Sequence, residues 1–145
     1  MKKLLSILLL FSANIYGTEF GIFGGYNHDV YLGCLKCSEF DHDAICNPYG
    51  TYGNEYSSEG MFNKFAGFGN EYSSKSPWNK YSSSDEVPIW VTENGFKRYF
   101  TINEHRYNAV DFAGQMNRWF DEYDGDIEDV RLRLCHYFGH HGYSG

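Results

Sequence analysis

NPYGTYGNEYSSEGMF at residues 47–62 is followed at once by NKFAGFGNEYSSKSPW at 63–78, so this stretch holds two copies of one sixteen-residue pattern. The segment GNEYSS is identical in both copies, at 53–58 and 69–74. Short tandem units bury apolar surface by stacking on their neighbours, so we expect this stretch to organise the fold. Aromatic residues also recur at the same offset where identity is lost, in the pairs Tyr49 and Phe65, Tyr52 and Phe68, and Phe62 and Trp78.

The residue types inside each copy predict turns rather than a helix. Tyr49, Tyr52 and Tyr56 have helical spacing, but Gly50 and Gly53 lie between them. Each interior glycine costs a helix about 1 kcal/mol relative to alanine, and Asn and Ser side chains compete for backbone hydrogen bonds. We therefore predict compact turns and short extended pieces. Because aliphatic residues are scarce in this region, most of its rings are expected to form the core.

Residues 31–46 can be aligned with the same sixteen-residue period. Glu39 then corresponds to Glu55, and Cys46 corresponds to Phe62. We interpret this segment as a degenerate first copy that carries cysteines, so the predicted repeat region is 31–81.

The clearest local signal lies after the repeats, where VPIWVTENGFKRYFTI at 87–102 predicts a β-hairpin. Asn94-Gly95 separates two β-rich runs and is typical of a type I′ turn, in which both central residues take positive φ.

The segment 108–137 has apolar residues at helical spacing and predicts one or two helices. Acidic residues after Asp126 are typical of a helix start, but Val-Arg-Leu-Arg-Leu at 130–134 alternates as a strand does. Residues 126–137 are therefore left open between helix and strand. Together these signals predict a small α+β protein with a single domain at 18–137.

The two ends of the chain are predicted to lie outside this domain. Lys2-Lys3, an apolar run at 4–11 and a small, polar stretch resemble a secretory signal peptide at 1–17. The apolar run is about half the ~20 residues that a spanning helix needs, so we expect no membrane span after cleavage. The Gly- and His-rich segment 138–145 is predicted to be a flexible tail.

The charge of the chain excludes one class of partner. Its formal net charge is −7 at pH 7, and its 12 basic residues are scattered. Nucleic-acid binding needs clustered Lys and Arg to neutralise phosphates, so no nucleic-acid partner is predicted.

The four cysteines, Cys34, Cys37, Cys46 and Cys135, predict two disulfides, since an even count in an exported protein favours pairing. Three connectivities are possible. We expect one bond within the first three cysteines and one reaching Cys135. Two alternatives remain: a Cys-x-x-Cys redox pair, although no thioredoxin-like βαβ pattern surrounds it, and a zinc site with four thiolates, which the spacing before Cys46 disfavours.

Other residues with chemical potential are weaker candidates. His136, His140 and His141 could bind a transition metal, but neighbouring glycines favour a loose tail. Asp41-His42-Asp43 could ligate a metal or act in acid–base chemistry, although a solvated turn is the simpler interpretation. Repetition of Glu55 and Glu71 favours a capping role, in which each accepts backbone N–H groups, over catalysis by paired carboxylates. No catalytic residue, metal site or cofactor is predicted.

Aromatic rings are the most suggestive feature for binding. Exposed Tyr and Trp faces stack on sugar rings, while Asn, Glu and Ser can bond sugar hydroxyls. The candidate binding residues are Trp78, Trp90, Tyr56 and Tyr72, and the predicted partner is a glycan or cell-wall polymer.

The combination of LGCLKC at 32–37, ICN at 45–47, the Tyr-Gly and Tyr-Ser-Ser units, Trp78-Asn79 and FTIN at 100–103 also resembles a known group. Small secreted bacterial proteins with no established activity share this pattern. The resemblance covers residues 31–103 and implies no catalytic residues. We therefore expect an exported, periplasmic or secreted, non-catalytic structural or binding module. The alternative is a small metal-dependent or thiol-redox periplasmic enzyme.

Overall fold

The computed structural model describes residues 20–140, so the predicted signal peptide and the last five residues lie outside the described part. A small antiparallel sheet and two C-terminal helices form one domain, which confirms the α+β prediction. The elements are β1 (Gly21–Gly24), β2 (Val30–Tyr31), β3 (Ile89–Val91), β4 (Lys97–Tyr99), α1 (Ala113–Glu122) and α2 (Ile127–Tyr137).

The sheet holds together the two ends of the turn-rich region. Its strand order is β2-β1-β3-β4, and every neighbouring pair is antiparallel. Phe23 in the central strand β1 lies opposite Tyr31 on one side and Ile89 on the other. The chain therefore leaves the sheet after β2, forms the turn region that contains the repeats, and returns beside β1.

The predicted hairpin is present, but its turn type differs from the prediction. The N–H of Thr92 donates to the carbonyl of Phe96 at 3.0 Å, and the N–H of Gly95 donates to the carbonyl of Thr92 at 2.9 Å. In this loop only Gly95 has positive φ, at 81°. The loop is thus a type I turn followed by a glycine bulge, which accommodates the twist of the strands with a single left-handed residue.

Both predicted helices form, and the strand alternative for 126–137 is wrong. The Asp126 carboxylate accepts hydrogen bonds from the N–H groups of Glu128 and Asp129, which starts α2. Val130 and Leu134, spaced one helical turn apart, are both buried. A strand would turn adjacent residues to opposite faces, yet Val130 and Arg131 are both buried, and so are Leu134 and Cys135. Residues 108–112 form turns, so α1 begins later than the predicted helical segment.

The first residues of the segment predicted to be a flexible tail, 138–140, contact the domain. The ring of Phe138 lies 5.8 Å from that of Trp90 and 5.1 Å from that of Phe112 between centroids. His140 Nε2 lies 3.2 Å from the carbonyl oxygen of Leu35.

The turn region is built from one hydrogen-bonding unit that recurs along the chain. The Oδ1 atom of an asparagine accepts the N–H two residues later, at 2.8–3.0 Å, and its backbone carbonyl accepts the N–H three residues later. This is the Asx-turn for which asparagine is suited. It occurs at Asn47, Asn54, Asn63, Asn70 and Asn79.

Two glycines are required by the close approach of one turn to the next. A Cβ atom on Gly53 would fall far inside van der Waals contact with the carbonyl oxygen of Asn47, and one on Gly69 would do the same with Asn63. These glycines lie one period apart, so the identical GNEYSS segments meet the same steric constraint.

The core is mixed aliphatic and aromatic and is crossed by a disulfide. Cys46 in the turn region is bonded to Cys135 in α2, and both residues are buried. Arg131, which is fully buried, bonds to both carboxylate oxygens of Glu128, at 2.7 and 2.9 Å, and to the carbonyl of Ile45 at 3.2 Å. The second helix is thereby fixed to the turn region by a covalent bond and a hydrogen-bonded charge.

Candidate functional site

Most rings of the repeat region face solvent, which contradicts the expectation that they form the core. Each ring two residues after a turn asparagine is at least 76% exposed. The Asx-turn places this residue at the outer corner of the chain, so its ring points away from the next turn. The exposed rings are Tyr49, Tyr56, Phe65, Tyr72 and Tyr81.

The fully buried rings of the two repeat copies are Phe62 and Trp78, one period apart, while Tyr52 and Phe68 are partly buried against the core. Phe62 and Trp78 are each 1% exposed, and their centroids lie 5.6 Å apart. Trp78 Nε1 donates to the carbonyl of Met61 at 2.6 Å, which satisfies its polar atom inside the core. The prediction that Trp78 presents its ring to a ligand is therefore wrong, whereas Tyr56 and Tyr72 are exposed as required.

Two clefts that share five lining positions of the repeat lie one period apart. The first cleft, of about 700 Å³, is lined by Glu55, Tyr56, Phe62, Lys64 and Phe65. The second cleft, of about 310 Å³, is lined by residues at the same positions of the next copy, with two conservative aromatic changes: Glu71, Tyr72, Trp78, Lys80 and Tyr81.

The loop between α1 and α2 forms the opposite wall of both clefts. Asp124 and Gly125 line each of them, and these two residues take positive φ, 51° and 78°. The N–H of Gly125 donates to the carbonyl of Phe120 at 2.8 Å, which ends the helix and fixes the loop. One loop thus contributes the same carboxylate residue, Asp124, to both clefts.

Polar groups in the clefts are placed beside the rings. Lys64 Nζ lies 5.3 Å from the centroid of Phe65, and Lys80 Nζ lies 5.6 Å from that of Tyr81. A hydrogen bond between the Tyr56 hydroxyl and the Glu55 carboxylate raises the pKa of this tyrosine.

The capping role predicted for the glutamates is filled by the asparagines one position earlier, and the glutamates line the clefts instead.

One period before the first cleft, part of this lining is missing from the sequence. Pro48 occupies the position of Lys64, and Cys46 occupies that of Phe62. Cys46 is committed to the disulfide with Cys135, so the degenerate first copy anchors α2.

A larger groove of about 1010 Å³ lies on another part of the surface, and we call it the disulfide groove. Its lining includes the Cys34–Cys37 disulfide, Tyr31, Asp43 and Trp90. Trp90 is partly buried, and Lys36 Nζ lies 5.7 Å from its ring centroid. The groove thus contains the second tryptophan singled out from the sequence, and Trp90 lines neither of the two clefts described above.

Within the disulfide groove, Tyr31 and Asp43 are directly bonded. The tyrosine hydroxyl donates to the carboxylate Oδ2 at 2.5 Å. Burial, followed by this hydrogen bond and the nearby negative charge, raises the pKa of Tyr31 well above its usual value. Asp43 is therefore half-buried and hydrogen-bonded, rather than part of a fully solvated turn.

The disulfides follow the expected arrangement, with Cys34 bonded to Cys37 and Cys46 bonded to Cys135. The four thiols consequently do not converge on a single zinc site. Among the described residues, the one group of three His, Cys, Asp or Glu side chains close enough to share a metal ion is Cys34, Cys37 and Asp43. His136 and His140 are not in such a group, and His141 lies outside the described residues.

Sequence reasoning missed Lys64, Lys80 and Asp124 as site residues. The two lysines follow the repeated asparagines at the same offset, which was a usable signal. Asp124 joins the clefts through tertiary packing and had no signal in the chain.

Comparison with known proteins identifies no relative: no family model, curated protein or solved structure matches this chain. None of the helices within residues 20–140 has the length and apolarity to cross a membrane.

Proposed function

We propose that this protein is an exported, non-catalytic module that binds a glycan or cell-wall polymer through its two equivalent clefts. The observation that carries the proposal is the recurrence of one set of five side-chain positions, one period apart, against a shared loop. Exposed aromatic rings occurring singly are common on protein surfaces, but a regular series is not, and large exposed apolar patches mark binding sites.

The chemistry of each cleft suits a sugar ring. Tyr56 and Tyr72 offer exposed faces for stacking, while a carboxylate and an ammonium group can bond hydroxyls on either side. A polymer repeats its units, so one strand that reaches both clefts gains affinity from the second contact without a second loss of translational freedom.

The charges of the clefts select among polymers. Each contains one lysine, whereas Asp124 and a glutamate, joined by further acids of the helices, supply more negative charge. Acidic polysaccharides would be repelled, because like charges brought together at an interface oppose binding. The favoured ligand is therefore a neutral or amino-sugar polymer.

The test measures binding to chitooligosaccharides and to neutral β-glucan fragments, short and long, by titration calorimetry. Tyr56→Ala and Tyr72→Ala should each lower the affinity about tenfold, corresponding to about 1.4 kcal/mol. The double variant should lose the gain in affinity that long chains have over short ones. Tyr107→Ala is the matched control, since this ring is 91% exposed and lies outside both clefts.

Several results would reject the proposal. Equal losses in the control and cleft variants would show that the clefts are not the site. Tighter binding of acidic alginate than of the neutral polymers would contradict the charge argument, and absence of binding to every polymer would remove the function itself.

Export is supported by the chemistry of the cysteines, since disulfides persist mainly in oxidising compartments. Protein purified from the exported fraction of cells should have an intact mass that begins near Thr18 and includes two disulfides. A full-length mass would contradict export by a cleaved signal peptide.

A thiol-redox or metal-dependent enzyme is the second candidate class, and it has one specific support. The Cys34–Cys37 pair lines the disulfide groove and is half-buried, so a reductant can reach it. Catalysed disulfide exchange on a model substrate, lost in Cys34→Ala, would favour this class over a binding module.

A further inference from the structure

The two disulfides differ in their accessibility and in what they hold. Cys46–Cys135 is buried and joins residues 89 positions apart. Cys34–Cys37 is half-buried, lines the disulfide groove and joins residues three positions apart. Accessible disulfides are the more readily reduced, so a reductant should open Cys34–Cys37 and leave Cys46–Cys135 intact.

A third ligand atom already lies beside this pair. The Sγ atoms of Cys34 and Cys37 and a carboxylate oxygen of Asp43 all lie within 4.8 Å of one another. Thiolates and carboxylates are both zinc ligands, and two cysteines separated by two residues are a common ligand spacing.

Reduction of the disulfide should leave these groups in place, because other bonds position them. The N–H of Cys34 donates to the carbonyl of Asp43 at 3.0 Å, and the N–H of Ile45 donates to the carbonyl of Cys34 at 2.9 Å. Tyr31 holds the Asp43 carboxylate through its hydroxyl. A carboxylate oriented by a second group is the usual arrangement around a bound metal.

The surroundings favour a cation. Besides Asp43, the groove is lined by three acidic side chains, those of Asp29, Asp41 and Glu93, and by one formally positive side chain, that of Lys36. The open groove leaves room for water as a fourth ligand.

We propose that Cys34, Cys37 and Asp43 form a redox-gated zinc site in the disulfide groove. A dithiol reductant gives two electrons and two protons to the disulfide, which becomes two thiols while the reductant becomes a disulfide. Zinc then binds the two sulfurs with release of the two thiol protons, and Asp43 provides the third ligand. In the reverse step a disulfide oxidant takes two electrons from the two thiolates by thiol–disulfide exchange and becomes two thiols, the Cys34–Cys37 bond forms again, and zinc leaves as Zn²⁺. This site is separate from the glycan clefts and does not depend on the function proposed for them.

The experiment first treats the full exported chain with a low concentration of a phosphine reductant and maps free thiols by alkylation and mass spectrometry. Labelling should occur at Cys34 and Cys37, with Cys46–Cys135 intact. Titration of the reduced protein with Zn²⁺ should then show one equivalent bound, and Co²⁺ in its place should show a thiolate-to-cobalt charge-transfer band. The oxidised protein should bind neither metal at this site.

Three variants test the ligands. Cys34→Ser/Cys37→Ser should abolish the bound equivalent, which separates this site from metal held by the histidines of the C-terminal segment. Asp43→Asn should weaken zinc binding about tenfold or more, whereas Asp41→Asn, in the same groove but outside the triplet, should change it less than twofold.

Circular dichroism verifies that each variant is folded. If Asp43→Asn does not fold, Tyr31→Phe takes its place, because loss of the orienting hydroxyl should also weaken the affinity. Zinc binding that persists without the two cysteines, a reduced protein that binds no zinc, or equal reduction of both disulfides would overturn the proposal.

Discussion

The long-range disulfide should contribute far more to stability than the short one. We consider the double variant Cys46→Ala/Cys135→Ala, compared with the matched variant Cys34→Ala/Cys37→Ala. Both variants remove one disulfide and two sulfur atoms. Alanine is chosen because Cys46 and Cys135 are fully buried, and a serine hydroxyl there would need a partner that the core does not offer.

The expected difference follows from the lengths of the closed loops. A sequence separation of 89 closes a loop of about 90 residues, which in the chain-entropy model stabilises by about 4.6 kcal/mol. A separation of three closes a loop of about four residues, worth about 1.9 kcal/mol. Since domains are typically stable by about 5–15 kcal/mol, loss of the first bond should bring the protein near its folding threshold.

Urea denaturation followed by circular dichroism provides the measurement. With a slope of about 1.5 kcal/mol per molar, the unfolding midpoint should fall by about 3 M for the Cys46/Cys135 variant and by about 1.3 M for the Cys34/Cys37 variant. Equal shifts, or a larger shift for the short loop, would refute the argument that loop length determines the contribution.

Three further predictions use the same denaturation assay. Gly53→Ala should lose roughly 3 kcal/mol or more by forcing turns apart, whereas Gly60→Ala, whose added Cβ would have its nearest neighbour at 3.6 Å, should be nearly neutral. Trp78→Phe should cost about 1–3 kcal/mol, because the buried carbonyl of Met61 loses its donor; a neutral result would argue against that bond. The pKa of Tyr31 is higher in the folded state than in the unfolded state, so its contribution to the free energy of unfolding is complete below pH 10.0 and is lost as the pH rises through the folded-state pKa. Tyr31→Phe should therefore reduce the loss of stability with rising pH in the alkaline range. An unchanged dependence of stability on pH would contradict the assignment of this loss to Tyr31.

Much of the fold could be predicted because its signals are local. Asparagine, glycine and serine favour turns through their own backbone and side-chain hydrogen bonds, and Asn94-Gly95 marks a hairpin wherever it separates β-rich runs. The error in the turn type has the same origin, since Asn-Gly is compatible with both one and two residues at positive φ. Helix α2 was recognisable from its acidic first turn, but the alternating 130–134 segment needed burial on one face to resolve it.

The candidate site was less accessible to prediction, as the tryptophans show. Trp78 and Tyr72 are both aromatic and lie six residues apart, yet one is buried and the other is exposed. Tyr72 follows the turn asparagine Asn70 by two residues, whereas Trp78 follows Ser76 by two residues and donates its backbone N–H to the serine hydroxyl. The two local turns are similar, so packing was needed to show that the first ring is exposed and the second is buried.

Local chemistry within the chain therefore determined the turns, the hairpin and the helices. The even number of cysteines was sufficient to predict that disulfides form. Only the tertiary structure decided which rings face outward, which cysteines pair, and that one loop forms a wall to two clefts. The physical reason is that turn and helix propensities act between neighbours, whereas burial and ligand geometry depend on segments far apart in sequence. Asp124 lines the same clefts as Tyr56 and Tyr72, and Asp43 lies beside Cys34, only because the folded chain brings them together.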